Sequence, residues 1–263
     1  MRAIQPLRLV IFRRAAPSVC RRGPAAVIVT CVTSRYLPNL RHIARLCEVD
    51  IAVVLDLAPL PHRNRDSFVT RNRIHQDVTK EGHWLTVPVV RRRRTQQVRE
   101  AEINPTDHRW ARKHILTLRQ AYPQAESLAP GFLGALGDAI MADTVSLLEV
   151  NNRALEVILE TLGCRHKMPV LESAITSNHR KEHRSDIASA LGADRYLAGE
   201  VERESIAAVR LEQSFTDAGI VLQDAGPFQP ELYRDAVRYS AVHVICGRGV
   251  VAAQTVLDRL LSE

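Results

Sequence analysis

The chain has 263 residues, 46% hydrophobic and 25% charged, the balance of a globular protein long enough to bury a substantial core. Its net charge of +7 invites a nucleic-acid reading. However, Arg2, Arg8, Arg13, Arg14, Arg21 and Arg22 crowd a start without Asp or Glu, so the rest is close to neutral and a dedicated basic face is disfavoured. Five cysteines, none in a C-x-x-C pair, argue against a disulfide scaffold or zinc site and suit reduced cytoplasmic thiols, and no run approaches the roughly 20 apolar residues of a membrane helix.

Residues 1–24 read as a disordered basic extension, because arginines interrupt every apolar segment and no signal-peptide core forms. One α/β domain is expected over 25–263. Ala26 to Val32 is short, apolar and β-branched, as a strand buried on both faces should be. After a turn at Tyr36-Leu37-Pro38-Asn39, the residues Leu40, Ile43, Ala44, Leu46 and Cys47 recur at helical spacing, and Ile51 to Leu55 forms a second strand. Strand, helix and strand in about thirty residues make a βαβ unit, which implies a parallel pair.

Leu57 to Asp66 is expected as a loop. Trp84 to Val90 and Val98 to Ile103 are expected as a hairpin bridged by Arg91-Arg92-Arg93-Arg94. The middle is predicted helical: Trp110 to Ala121, capped by Asp107, then two helices within Leu133 to Gly163. Further strands are predicted at Pro169 to Leu171, Arg195 to Ala198 and Ile220 to Leu222, with helices at Ser185 to Leu191, Glu204 to Ala218 and Val250 to Leu261. The fold class is therefore α/β: a mostly parallel Rossmann-like sheet flanked by helices, with a helical middle segment.

Asp56 ends its strand, where ligands of open α/β sheets gather, and a carboxylate there can orient a cation, bind a hydroxyl or act as a base. A loop carboxylate capping backbone amides is the bland alternative. Arg71, Asn72 and Arg73 with Lys113 and His114 form a second set suited to phosphate or carboxylate, against the alternative of a solvated basic surface. Tyr36, in the first strand-to-helix turn, can bond a ligand or fill the core. Trp84 and Trp110 suit core packing before ligand stacking.

His179-Arg180-Lys181-Glu182-His183 spells H-x-x-E-H, but three neighbouring cations oppose a divalent metal, and no metal site is expected. Cys246, with His243 three residues before it, lies in an apolar run and reads as a buried, inert thiol. There is no P-loop, G-x-S-x-G elbow or G-x-G-x-x-G. No cofactor can be named from the residues.

Several motifs in order resemble the WbqC-like protein family of bacteria. The family's opening pattern is matched by Thr33-Ser34-Arg35-Tyr36-Leu37-Pro38-Asn39, followed by the strand ending in Asp56 and by Thr70-Arg71-Asn72-Arg73-Ile74. Next come Trp84 to Val89, Val98 to Ile103, the W-x-x-K-H of Trp110 to His114, then Lys181 and Arg184 before Leu191-Gly192-Ala193 and Tyr196 to Gly199. Departures stand at Thr33, Asn39 and Leu57, at Glu200-Val201-Glu202, and at Ser240 and His243. The resemblance implies biosynthetic company with glycoconjugate or specialised-metabolite genes, and Lys181 and Arg184 as further substrate contacts.

The leading expectation is a cytoplasmic transferase that moves an acyl or aminoacyl group onto an amine of a small-molecule substrate. Asp56, His114 and Lys113 are its catalytic candidates, and Tyr36, Arg71, Asn72, Arg73, Lys181 and Arg184 its substrate contacts. Its donor could be an aminoacyl-tRNA or a carrier protein, and no membrane is involved. Two alternatives stand beside it. One is a nucleotidyltransferase-like enzyme holding a nucleoside triphosphate over Arg41 and His42. The other is a non-catalytic tRNA- or carrier-binding protein using the basic extension and Arg91 to Arg94.

Overall fold

The computed structural model describes residues 26–61, 67–76, 79–107, 109–176, 184–199, 208–224 and 238–262. The apolar run at its start is strand β1 (Ile28–Val32), and its neighbour β2 (Ile51–Val54) lies parallel, with Val29 opposite Ile51 and Val32 opposite Val54. Helix α1 (Leu40–Glu48) makes the crossover, its Leu40, Ile43 and Leu46 buried. The chain then adds β7 (Val170–Leu171) beyond β2, β8 (Arg195–Ala198) on the other flank of β1, and β9 (Val221–Asp224) outside β8.

All these pairings are parallel, so the order β7-β2-β1-β8-β9 is a Rossmann-like open sheet. The chain winds outward from β1 in both directions. The point where it reverses, between β1 and β8, is where such sheets open a crevice for ligands.

Alternation along the strands feeds two cores. Val29, Cys31, Val53, Tyr196 and Ala198 face one layer, which is completed by Ile187 of α6 (Arg184–Ala190) and Phe215 of α7 (Ala208–Asp217). There the rings of Tyr196 and Phe215 stack with centroids 4.4 Å apart. Val32, Ala52, Val54 and Leu197 face the larger layer. Its helices are α1, α2 (Trp110–Ala121), α3 (Ala125–Leu128), α4 (Phe132–Ile140), α5 (Leu147–Thr161), α8 (Ala241–Arg248) and α9 (Val250–Ser262). Fully burying one such aliphatic or aromatic side chain contributes about 1.5–3 kcal/mol, which makes this layer the main source of stability.

Two local expectations are corrected. Trp84 to Val90 is not one strand: Pro88 has no N–H to donate, so β4 (Thr79–Thr86) ends before it and pairs with β3 (Arg71–Gln76). The short β5 (Val89–Val90) pairs instead with β6 (Glu102–Ile103), and Val98–Glu100 is a turn of 3-10 helix between them. Asp107 does not cap α2. The capping position is Arg109, without a side-chain bond, while Asp107 sits 4.0 Å from Lys113. The run from Val242 to Cys246 is helical within α8, its start capped by the Ser240 hydroxyl.

Candidate functional site

The turn from β1 into α1 is held from several sides. Leu37 adopts φ 46°, a left-handed conformation that costs a branched residue about 1–3 kcal/mol and persists only where its surroundings impose it. Those surroundings are the Asn72 side-chain amide, donating to the Leu37 carbonyl at 2.6 Å, and Tyr36 N–H, donating to Phe68 O at 2.9 Å. On the other side Ala241 N–H reaches Pro38 O at 2.8 Å. Asn39 caps α1 by accepting from His42 N–H at 2.9 Å. Asn72 is buried and its oxygen accepts from Arg73 N–H, so this residue shapes the turn from within.

That turn gathers cations at the carboxyl end of β1. Arg45 straddles the reversal point: its Nε donates to Thr30 Oγ1 at 2.7 Å, and its Nη2 to Cys31 O at 3.2 Å and Leu197 O at 2.9 Å. Gly199 lets it lie there, because a Cβ at that position would run into the guanidinium. Beside it, Arg35 packs over the Phe68 ring at 5.5 Å, with its Nε buried and without a hydrogen-bond acceptor. Burial, then the charges of Arg45 and Arg41, lower the Arg35 pKa to about 10. His42 is kept neutral by burial and by Arg35 and Arg45.

A second run of cations follows β3, whose alternation sends Arg71 and Arg73 to the face of Trp84. The Arg71 guanidinium lies 3.9 Å from the Trp84 ring centroid and that of Arg73 5.4 Å, cation–π geometry in both cases. Trp84 meets Phe68 at 6.2 Å, which joins this run to Arg35, and Arg73 lies 5.8 Å from the Tyr239 ring. Half-buried Trp84 thus carries cations, whereas buried Trp110 packs edge-on against Tyr36 and His114.

The other expected residues fall elsewhere. Tyr36 is fully buried; its hydroxyl sits 2.8 Å from His114 Nδ1, and burial pushes its pKa well up. His114 is buried too. Desolvation, helped by the charge of His83, lowers its pKa to about 4. One residue earlier on α2, Lys113 points to solvent with its side chain 67% exposed. Asp56 is 1% exposed and accepts Ser173 N–H at 2.9 Å, while Glu172, equally buried, accepts Leu57 N–H at 3.3 Å. These two carboxylates tie the ends of β2 and β7.

Arg184 opens α6; Lys181 and the H-x-x-E-H stretch lie outside the described residues. Arg92 and Arg93 pair with Glu102 and Glu100 on an exposed turn. Cys246 is buried in α8 with its thiol pushed up to about 12 by desolvation. The structure therefore brings together Arg71, Arg73 and the unexpected Arg35 and Arg45. It places Asp56 just past β2, bonded to Ser173, and Lys113 on α2 facing solvent. Arg35 and Arg45 were open to discovery only through their neighbours in the Tyr36-Leu37-Pro38 turn.

Among the described residues no group of three or more His, Cys, Asp or Glu side chains could hold a metal ion, and no helix is long and apolar enough to cross a membrane. The model of the WbqC-like protein family matches residues 33–232, which takes in the turn, the β3–β4 hairpin and the strands of the parallel sheet other than β1, and the chain belongs to that family. Comparison with curated proteins and with solved structures returned no match.

Proposed function

We propose that the protein is a transferase that binds a phosphate-bearing donor at the carboxyl end of β1 and passes its acyl or aminoacyl group to an amine of a small molecule. The observation that carries this reading is Arg35, a guanidinium with buried Nε and without an acidic partner among the described residues. A half-buried guanidinium whose Nε lacks an acceptor is incompletely satisfied, and an anion that reaches it supplies the missing contact. The location between β1 and β8 is where open α/β sheets take small ligands, and guanidinium forks beside a helix start suit phosphate.

Acyl-coenzyme A, an acyl-carrier phosphopantetheine, an acyl-nucleotide and an aminoacyl-tRNA all bring phosphate. Arg71 and Arg73 on Trp84 supply a cationic, ring-faced wall for the remainder of such a donor. Transfer to an amine, and a bacterial, cytoplasmic, biosynthetic setting, follow from what likeness to the family implies. In this reading Tyr36, Asn72 and His114 hold the turn, Asp56 holds strand ends, and Lys113 and Arg184 lie outside the donor site. The capped start of α1 at the same point favours a nucleoside triphosphate as a second occupant, although His42 is buried and neutral.

Isothermal titration of the full chain with coenzyme A, ATP and pyrophosphate tests the site, followed by mass spectrometry of incubations with acyl donors and amines. At least one probe is expected to bind, with Arg35→Gln weakening it about tenfold, the loss of one charge-assisted contact. Equal binding by variant and wild type, or no binding of any phosphate-bearing probe, removes the donor site.

A further inference from the structure

Two half-buried thiols meet where the first crossover touches the end of the long helix α5. Cys47 sits on the last turn of α1, and Cys164 follows Gly163 at the start of the 3-10 turn Arg165–Lys167. Their side chains hydrogen-bond each other, and Cys164 Sγ also donates to the Leu162 carbonyl at 3.7 Å. Both pack against the larger core. A separate contact holds the two segments together: Lys167 Nζ donates at 2.7 Å to the carbonyl of Val49, which ends α1. The Lys167 N–H donates to the Cys164 carbonyl at 2.8 Å, so the ammonium and the second thiol belong to one closed turn.

Neither thiol belongs to the proposed donor site. Two other described cysteines, Cys31 in β1 and Cys246 in α8, are buried. Burial and the neighbouring thiol hold the proton on Cys47, against the opposing charge of Lys167. That suits Cys47 to a second, resolving step, taken once Cys164 has reacted.

We propose that Cys47 and Cys164 form a reversible disulfide, with a small-molecule disulfide of the glutathione type as the oxidant. Cys164 gives its proton to water, and its thiolate attacks one sulfur of the oxidant. That S–S bond breaks, and one glutathione thiolate leaves and takes up a proton. Cys47 then loses its proton and attacks the Cys164 sulfur, which expels the second glutathione. Two protein thiols become one disulfide, and one oxidised glutathione becomes two thiols. The new bond closes the gap between sulfurs already in contact, and it ties α1 to the end of α5 across residues 48–163. A bridge over so long a loop restricts the unfolded chain, so the oxidised protein should melt about 5–15 °C above the reduced one.

Peptide mapping of the full chain tests the inference. Native protein incubated with oxidised glutathione, alkylated and digested should yield a Cys47–Cys164 cross-linked peptide that dithiothreitol removes. Cys47→Ser should stop at glutathione on Cys164. Glutathione that stays on Cys164 in the wild type overturns the pair, as does a bridge from either residue to Cys20, Cys31 or Cys246. So does a Cys47–Cys164 peptide that forms only in urea. A bridged protein that melts no higher than the reduced one is strained in that geometry, and also overturns the site. None of these readouts involves phosphate binding, so loss of the donor site and loss of this site are told apart.

Discussion

Tyr36 and His114 form a buried polar pair whose value lies in each satisfying the other. Removing the hydroxyl leaves a ring nitrogen dry and unpaired, so Tyr36→Phe should lower stability by about 1–3 kcal/mol, measured by urea unfolding. The same burial gives the protein an acid-sensitive term. His114 titrates near 4 when folded against 6.5 in the unfolded chain, so the unfolded state binds the proton first as pH falls. The stabilisation is complete above about 6.5 and is lost towards 4, at up to about 1.4 kcal/mol per pH unit. Urea midpoints compared between pH 7 and pH 4 should fall, and fall less in His114→Gln. His42, depressed by burial and by Arg35 and Arg45, contributes in the same direction.

At this scale residue types were more legible than roles. Asp56 stands at a strand end, as its place in the sequence requires, but what occupies its carboxylate is the Ser173 amide, 117 residues further on. No local pattern encodes such a partner. Arg35 was overlooked for the converse reason: nothing in the spacing of Thr33 to Asn39 distinguishes a guanidinium that turns inward from one that turns out.

Among the elements, the β3–β4 hairpin carries most of the proposed donor wall, since it offers Trp84 and two arginines on one face. It depends on Gly82, with φ 79°, where a Cβ would come within 2.7 Å of both the Ile74 carbonyl and the Tyr239 ring. Gly82→Ala should therefore cost about 1–3 kcal/mol through backbone strain alone. It should also displace Tyr239, whose ring the added methyl would meet. Urea unfolding measures the cost, and an unaltered midpoint would show that the ring has room to move. Strand β3 escaped prediction because its arginines disguise the alternation that buries Asn72 and Ile74. The parallel strands were plain from their unbroken apolar runs, as buried strands should be, and α2 and α9 from their 3.6-residue period. Helix α8 was not, because a continuous apolar stretch fits a buried helix and a buried strand alike.

For the molecule as a whole, the sheet order makes distant segments interdependent. Helix α9 packs on α1 and against α8, and contributes Ala253 and Leu257 to the larger core. Deleting residues 250–262 should therefore strip the cover from the first crossover rather than trim a surface helix. The expected result is loss of near-ultraviolet circular dichroism and binding of a hydrophobic dye; a truncated chain with a sharp, two-state melt would show that the core closes without α9.

The same packing bears on how the protein is made. Helix α1 leaves the ribosome about 200 residues ahead of the helix that covers it, and β1 a comparable stretch ahead of β8. At about 5–20 residues per second that is a delay of roughly 10–40 s. Throughout that interval Leu40, Ile43 and Leu46 lack part of their final cover, and the nascent chain presents a sticky crossover to whatever is nearby. A cell making this protein must shield that surface, and slow translation of the later half would lengthen the exposure without altering a single contact in the finished fold.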